Sequence, residues 1–76
     1  MEKIGKILEG IRPEFVFTSE SDLIADGILD SFDLITLVSE LDKEFGISID
    51  GVDILPGNFR SIPAICELLK HYGVKL

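Results

Sequence analysis

The stretch that decides the fold is residues 31–45, which read SFDLITLVSELDKEF. Its apolar side chains recur at spacings of three and four, the period of a helix that buries one face. Asp30 or Ser31 can accept a hydrogen bond from a free N–H group at the start of this helix. Gly46 is well placed to end it in a left-handed conformation. The predicted inward stripe consists of Leu34, Leu37, Val38, Leu41 and Phe45.

Two further helices are predicted on either side of this one. Pro13 should end the first, because the residue before a proline is pushed out of helical geometry. Ser61 should cap the last helix, which carries Pro63 in its first turn and ends at Gly73. The inward faces are predicted to be Ile4, Ile7, Leu8 and Ile11 in the first helix and Ile62, Ile65, Cys66, Leu69 and Tyr72 in the last.

The connections between these helices show no sustained period. A short helical turn is expected near residues 21–25, and residues 52–55 are predicted to form a short helix before Pro56. No stretch alternates long enough for a strand, so we predict an all-α bundle of three main helices and one short helix, in a single domain of residues 1–76. The apolar residues expected to pin residues 14–30 to the domain are Phe15, Phe17, Leu23, Ile24, Ile28 and Leu29.

The net charge of the chain indicates which classes of binding partner it favours and disfavours. A formal net charge of −7 disfavours nucleic acid and anionic membrane surfaces as partners and favours a basic protein surface. The sequence shows neither a signal-peptide pattern nor an apolar run long enough to span a bilayer. We therefore expect a cytoplasmic monomer without stable membrane insertion.

Few residues are suited to catalysis. Cys66 is the single cysteine, which excludes an internal disulfide, and we expect it to be a small buried hydrophobe on the last helix. His71 is the single histidine and should lie near the end of that helix, where a cation favours the helix dipole. No metal site, glycine-rich phosphate loop or pair of catalytic carboxylates is predicted.

The informative segment is residues 26–33, DGILDSFD. It places the primary alcohol of Ser31 at the start of a helix, where unpaired N–H groups attract an anion such as a phosphodiester. Phe32 and Ile35 lie off the inward stripe and are predicted to be exposed apolar contacts for a partner. A plain N-cap role for Ser31 remains the alternative at this point, although Asp30 can cap the helix as well.

The stretch from Leu23 to Phe45 resembles acyl carrier proteins. The Asp30-Ser31-Phe32 triplet is similar to the Asp-Ser-hydrophobic triplet that opens the second helix of that family, and Gly27 and Leu29 precede it. Residues 59–62, FRSI, also resemble the start of the family's last helix. The resemblance extends from Ile4 to Tyr72 and implies the family's helical bundle.

The resemblance also implies a function. Ser31, with Asp30 as the flanking residue of the motif, would receive 4′-phosphopantetheine from coenzyme A through a separate phosphopantetheinyl transferase. The arm's thiol would then carry an acyl or aminoacyl thioester between partner enzymes, and the chain would be a non-catalytic carrier. An adenylating ligase or an acyl or aminoacyl transferase with a basic docking patch is the implied partner. The residues expected to recognise it are Phe32, Asp33, Ile35, Glu40 and Glu44.

A narrower resemblance implies the cargo, which would be an amino acid or a short acyl group. The Leu29-Asp30-Ser31-Phe32 segment is similar to D-alanyl carrier proteins and other stand-alone carriers of specialised pathways. Phe32 after the serine, with polar Thr36 and Ser39, differs from the usual carriers of fatty-acid synthesis. A fatty-acid synthesis carrier remains the alternative.

Two alternatives come from other classes of protein. A calcium-binding loop that begins at Asp22 would place Asp26, Asp30 and Asp33 at ligand positions, but Ile24 stands where an oxygen ligand is needed. The second alternative is a small acidic protein-interaction module without covalent cargo.

Overall fold

The computed structural model describes residues 2–15 and 22–75. Within these ranges the chain is helical and no residue lies in a strand, which confirms the predicted all-α bundle of three main helices. None of the helices within these ranges is long and apolar enough to cross a membrane. The elements are α1 (Glu2–Ile11), α2 (Ser31–Phe45), a first 3₁₀ turn (Gly51–Asp53), a second 3₁₀ turn (Pro56–Asn58) and α3 (Ile62–His71).

Glycines end α2 and α3 as predicted. Gly46 has a φ of 63°, and its N–H donates to the carbonyl of Asp42. The N–H of Ile47 also donates to that carbonyl, at 3.1 Å. Gly73, with a φ of 80°, follows α3 in the same left-handed conformation. Because only glycine adopts this conformation without strain, these two positions set where each helix stops.

One hydrophobic core joins all three helices. Burying each large aliphatic side chain stabilises the fold by roughly 1.5 to 3 kcal/mol, so this cluster is the main source of stability. Phe45 and Tyr72 lie at its margin, partly buried. The helical side chains in the core are Ile4, Leu8, Leu34, Leu37, Val38, Leu41, Ile62, Ile65, Cys66, Leu68 and Leu69.

The connection before α2 is held by its own apolar residues. Leu23, Ile28 and Leu29 are buried in the core and Ile24 packs against it, as predicted. The N–H of Leu23 donates to the carbonyl of Arg60 at 2.6 Å, which fixes this segment beside the start of α3. The segment therefore delivers the chain to α2 at a defined position.

The part of this connection nearer α1 differs from expectation. Phe15 is 38% exposed, because it follows a turn at the surface in which its N–H donates to the carbonyl of Arg12. A turn covers residues 23–26, which overlaps the described part of the region 21–25 where one was expected. Phe17 and Ser21 lie outside the described residues.

The predicted short helix over residues 52–55 is wrong in detail. The structure has two separate 3₁₀ turns, Gly51–Asp53 and Pro56–Asn58. Leu55 adopts an extended conformation between them, with φ −118° and ψ 142°. Pro56 accounts for the break, because a proline disfavours helical geometry in the residue before it.

A phenol ties the first 3₁₀ turn to α3. The Tyr72 hydroxyl donates to Oδ2 of Asp53 at 2.5 Å and accepts from the N–H of Asp50 at 2.9 Å. The hydrogen bond to Asp53, together with burial and nearby carboxylates, raises the pKa of Tyr72 above its ordinary value of 10.0, while the Asp50 N–H acts in the opposite sense. These bonds hold the connection between α2 and α3 against the bundle.

Candidate functional site

The start of α2 is closed by two carboxylates. Oδ1 of Asp30 accepts from the N–H of Asp33 at 2.9 Å, and Oδ2 of Asp33 accepts from the N–H of Asp30 at 3.3 Å. This reciprocal arrangement is a capping box, with Asp30 as the N-cap in an extended conformation. Asp30 therefore caps the helix, and Ser31 does not.

Ser31 is the first residue of α2 and is exposed. Within residues 2–15 and 22–75, no group hydrogen-bonds to its hydroxyl. The first N–H groups of an α-helix have no partner within the helix, and the dipole gives this end a partial positive charge. The serine thus presents a free alcohol at a place that favours an attached anion.

Arg12 lies across the same two carboxylates. Its Nε donates to Oδ2 of Asp33 at 2.9 Å, and its Nη2 lies 2.7 Å from that oxygen and 3.6 Å from Oδ2 of Asp30. The hydrogen bond to Asp33 and the charge of Asp33 raise the pKa of Arg12, with smaller contributions from Glu14 and Asp30. The Arg12 contacts join the end of α1 to the start of α2.

A family model described as "Phosphopantetheine attachment site" matches residues 5–69. The chain belongs to this family. The match covers all of α2 and most of α1 and α3, so it agrees with the acyl carrier resemblance over all three helices. No curated protein and no solved structure shows a significant match to the chain.

The cofactor of this family is 4′-phosphopantetheine, held covalently. The start of α2 fits the group, because it has an exposed primary alcohol that could form the ester bond and helical N–H groups that attract an anion. When bound, the group supplies a thiol that forms thioesters.

Two of the predicted recognition residues form an exposed apolar pair. Phe32 is 80% exposed and Ile35 is 64% exposed. They are three residues apart on α2, which makes them neighbours on the helix surface. The prediction that both side chains point away from the core is confirmed, and they stand directly beside Ser31.

The predicted acidic residues lie elsewhere on α2. Glu40 and Glu44 border a cleft of about 870 Å³ between α1 and α2, which Asp33 also lines. Glu44 lies 3.9 Å from the Lys3 ammonium, and Glu40 lies 4.0 Å from that of Lys43. Ile35 and Glu44 are about two and a half turns apart, so they occupy opposite sides of the helix.

Sequence reasoning missed a second exposed apolar pair. Val52, in the first 3₁₀ turn, is 74% exposed, and Leu55, in the break between the two turns, is 54% exposed. The prediction of a short helix there assigned no outward face. Their neighbours Gly51 and Pro56 were the available signal for a turn that leaves its apolar side chains in solvent.

Three of the four aspartates of the calcium-binding alternative accept hydrogen bonds from backbone N–H groups. Oδ1 of Asp22 accepts from the N–H groups of Ile24 and Ala25, at 3.2 and 2.9 Å. Asp30 and Asp33 accept from each other's N–H groups at the start of α2. In the part of the chain that the structure describes, no three His, Cys, Asp or Glu side chains converge as a metal site.

Proposed function

We propose that Ser31 is the residue that bears 4′-phosphopantetheine. The observation that carries the proposal is that Asp30 caps α2. The Ser31 hydroxyl is therefore exposed, and it makes no hydrogen bond among the described residues. A phosphopantetheinyl transferase transfers the group from coenzyme A to this oxygen: an O–P bond forms at Ser31, the pyrophosphate bond of coenzyme A breaks, adenosine 3′,5′-bisphosphate leaves, and the hydroxyl proton passes to a base of the transferase. The carrier then presents a thioester to partner enzymes and performs no catalysis itself.

The test is modification of the apo protein with coenzyme A and a phosphopantetheinyl transferase. Wild type gains one arm in the intact mass, and Ser31→Ala gains none while its circular dichroism is unchanged. Ser39→Ala is the matched control, because Ser39 is also an exposed serine of α2. Modification of Ser31→Ala, or transfer to Ser21 or Ser61 found by peptide mapping, contradicts the assignment.

We further propose that partner enzymes dock on the apolar pair Phe32 and Ile35, with Glu40 and Glu44 contributing charge. An exposed apolar pair on an acidic helix suits a basic partner surface with a small apolar pocket. Glu40 and Glu44, which border the cleft between α1 and α2, would attract that surface at a distance rather than from beside the pair. Partner affinity should fall as salt rises, because exposed charges are screened beyond about 8 Å at physiological ionic strength. Ile35→Ala should weaken binding more than Val52→Ala does. Affinities that respond to neither salt nor Ile35→Ala contradict this surface.

For the cargo, we propose an amino acid or short acyl group loaded by an adenylating ligase in a specialised pathway. Phe32, Thr36 and Ser39 support this through their likeness to stand-alone carriers. The packing of the core also supports it, because the side chains that would line a chain-binding slot are buried together and native packing leaves little empty volume. Those side chains are Leu34, Leu37, Leu41, Ile65 and Leu69.

Amide spectra of the loaded holo protein distinguish this cargo from a long chain. With an aminoacyl group, shifts should be confined to residues near Ser31. With an octanoyl chain, the core amides of Leu41 and Leu69 should also remain unmoved. Broad shifts through the core with octanoyl alone would favour the fatty-acid synthesis carrier.

A further inference from the structure

Arg12 has hydrogen-bonding capacity left at the attachment site. Its Nε and Nη2 both meet one oxygen, Oδ2 of Asp33, at 2.9 and 2.7 Å. Its remaining contacts are longer, 3.4 Å from Nη1 to Glu14 and 3.6 Å from Nη2 to Asp30. The Arg12 side chain is 31% exposed, and that of Asp33 is 15% exposed. The Asp33 contact is thus the anchor, and the contact with Asp30 is the one that a stronger acceptor can replace.

Attachment at Ser31 changes the charge balance here. Ser31 follows Asp30 directly and precedes Asp33 by two residues, so a phosphodiester adds a third negative charge to this helix start. Like charges at close range disfavour one another, and the helix dipole offsets them only in part. A guanidinium presents several N–H donors in a planar fork that matches phosphate oxygens. Arg12 is already anchored beside these carboxylates.

We propose that Arg12 is a positioning residue for the phosphodiester on Ser31, which holds Asp33 and exchanges its longer contact with Asp30 for a phosphate oxygen. The inference rests on the proposed attachment at Ser31. Arg12 then does two things at once: it fixes the start of α2 relative to α1, and it neutralises the phosphate so that the arm leaves the surface in a restricted direction.

The experiment compares apo and holo forms of wild type, Arg12→Gln, Arg12→Lys and Arg60→Gln. Arg60 is the other arginine of the chain; it is exposed and its side chain has no hydrogen bond or ion pair within the described ranges. Peptide mapping first establishes that Ser31 carries the arm in each protein. The quantity measured is the change in melting temperature from apo to holo, because a purely structural role of Arg12 affects both forms equally.

The apo-to-holo change should be more favourable in wild type and Arg60→Gln than in Arg12→Gln, by roughly 2 to 5 °C at low salt. High salt should reduce that difference, and Arg12→Lys should restore part of it. Equal changes in wild type and Arg12→Gln overturn the inference. Failure of Ser31 to be modified overturns the proposed function instead.

A second measurement tests the same inference without Arg12→Gln, in case that variant does not fold. The phosphorus resonance of the diester should shift between wild type and Arg12→Lys, which keeps the charge but loses the fork. It should not shift between wild type and Arg60→Lys. An identical resonance in all three holo proteins overturns the inference.

Discussion

Ser31 and Ser61 both lie at the start of a helix, but they occupy different positions relative to it: Ser61 is an N-cap, and Ser31 is the first residue after one. Ser61 is the N-cap of α3, with φ −153° and ψ 162°, and its hydroxyl accepts from the N–H of Ala64 at 3.2 Å. Ser31 lies one residue inside α2, where Asp30 already supplies the cap. The difference shows how a fold frees a hydroxyl for covalent chemistry: a neighbouring side chain takes over the structural task.

The largest expected effect comes from removing the substitute cap. Asp30→Ala loses the acceptor for the Asp33 N–H and the contact with Arg12, so the free energy of unfolding should fall by about 1 to 2 kcal/mol. In thermal denaturation this corresponds to roughly 5 to 10 °C. Asp26→Ala is the control, because it removes the same charge from an exposed turn residue whose side chain makes no hydrogen bond in the described part of the chain. Equal losses in the two variants would mean that charge, rather than capping, is responsible.

A smaller effect is expected at the other helix. Ser61→Ala should lower the free energy of unfolding by about 1 kcal/mol and leave modification by the transferase unchanged. Ser61→Asp, which retains a cap, should recover most of that loss. Ser31→Ala should remain within about 0.5 kcal/mol of wild type, as for an exposed site without a special contact. Urea denaturation measures all three, and a loss at Ser31 equal to that at Ser61 would show that both serines cap.

The smallest effect concerns Tyr72. Its hydroxyl, like that of Ser61, is held in hydrogen bonds within the fold. The phenol should titrate above its ordinary pKa of about 10, because it donates to Asp53. Ultraviolet absorbance measures this directly, since the chain has one tyrosine. Asp53→Ala should move the midpoint back towards the ordinary value.

The raised pKa of Tyr72 also predicts how the stability of the fold depends on pH. The folded protein holds the phenolic proton more tightly than the unfolded chain does. This contribution is complete below about pH 10 and is lost as pH rises through the folded pKa. The melting temperature of wild type should therefore fall more steeply than that of Tyr72→Phe above pH 10. Parallel curves for the two proteins would mean that the bond to Asp53 does not form in solution.

Local pattern predicted most of the fold. The stripe from Leu34 to Leu41, the stop at Gly46 and the cap at Ser61 depend on residues within a few positions of one another, and the structure confirms each. The exposure of Phe32 and Ile35 follows from the same helical period. These features were predictable because helix geometry alone fixes which neighbours share a face.

The features that the sequence did not predict join distant parts of the chain. Arg12 meets Asp33 across 21 residues, and Tyr72 meets Asp53 across 19. Such contacts depend on how the elements pack, which periodicity does not specify. The two 3₁₀ turns in place of a short helix are a different case: Pro56 was visible in the sequence, and its effect on Leu55 outweighed the apolar content of the segment.

The burial of Cys66 gives the protein a useful chemical property. This sulfur belongs to the single cysteine of the chain, lies inside α3 and is 8% exposed. Alkylating reagents need an accessible thiolate, so the native body of the protein offers them little to react with. The free thiol at the tip of an attached arm is then the reactive sulfur of the holo protein. A maleimide dye or crosslinker applied to the wild-type holo protein will label the arm selectively, without any cysteine having to be removed first.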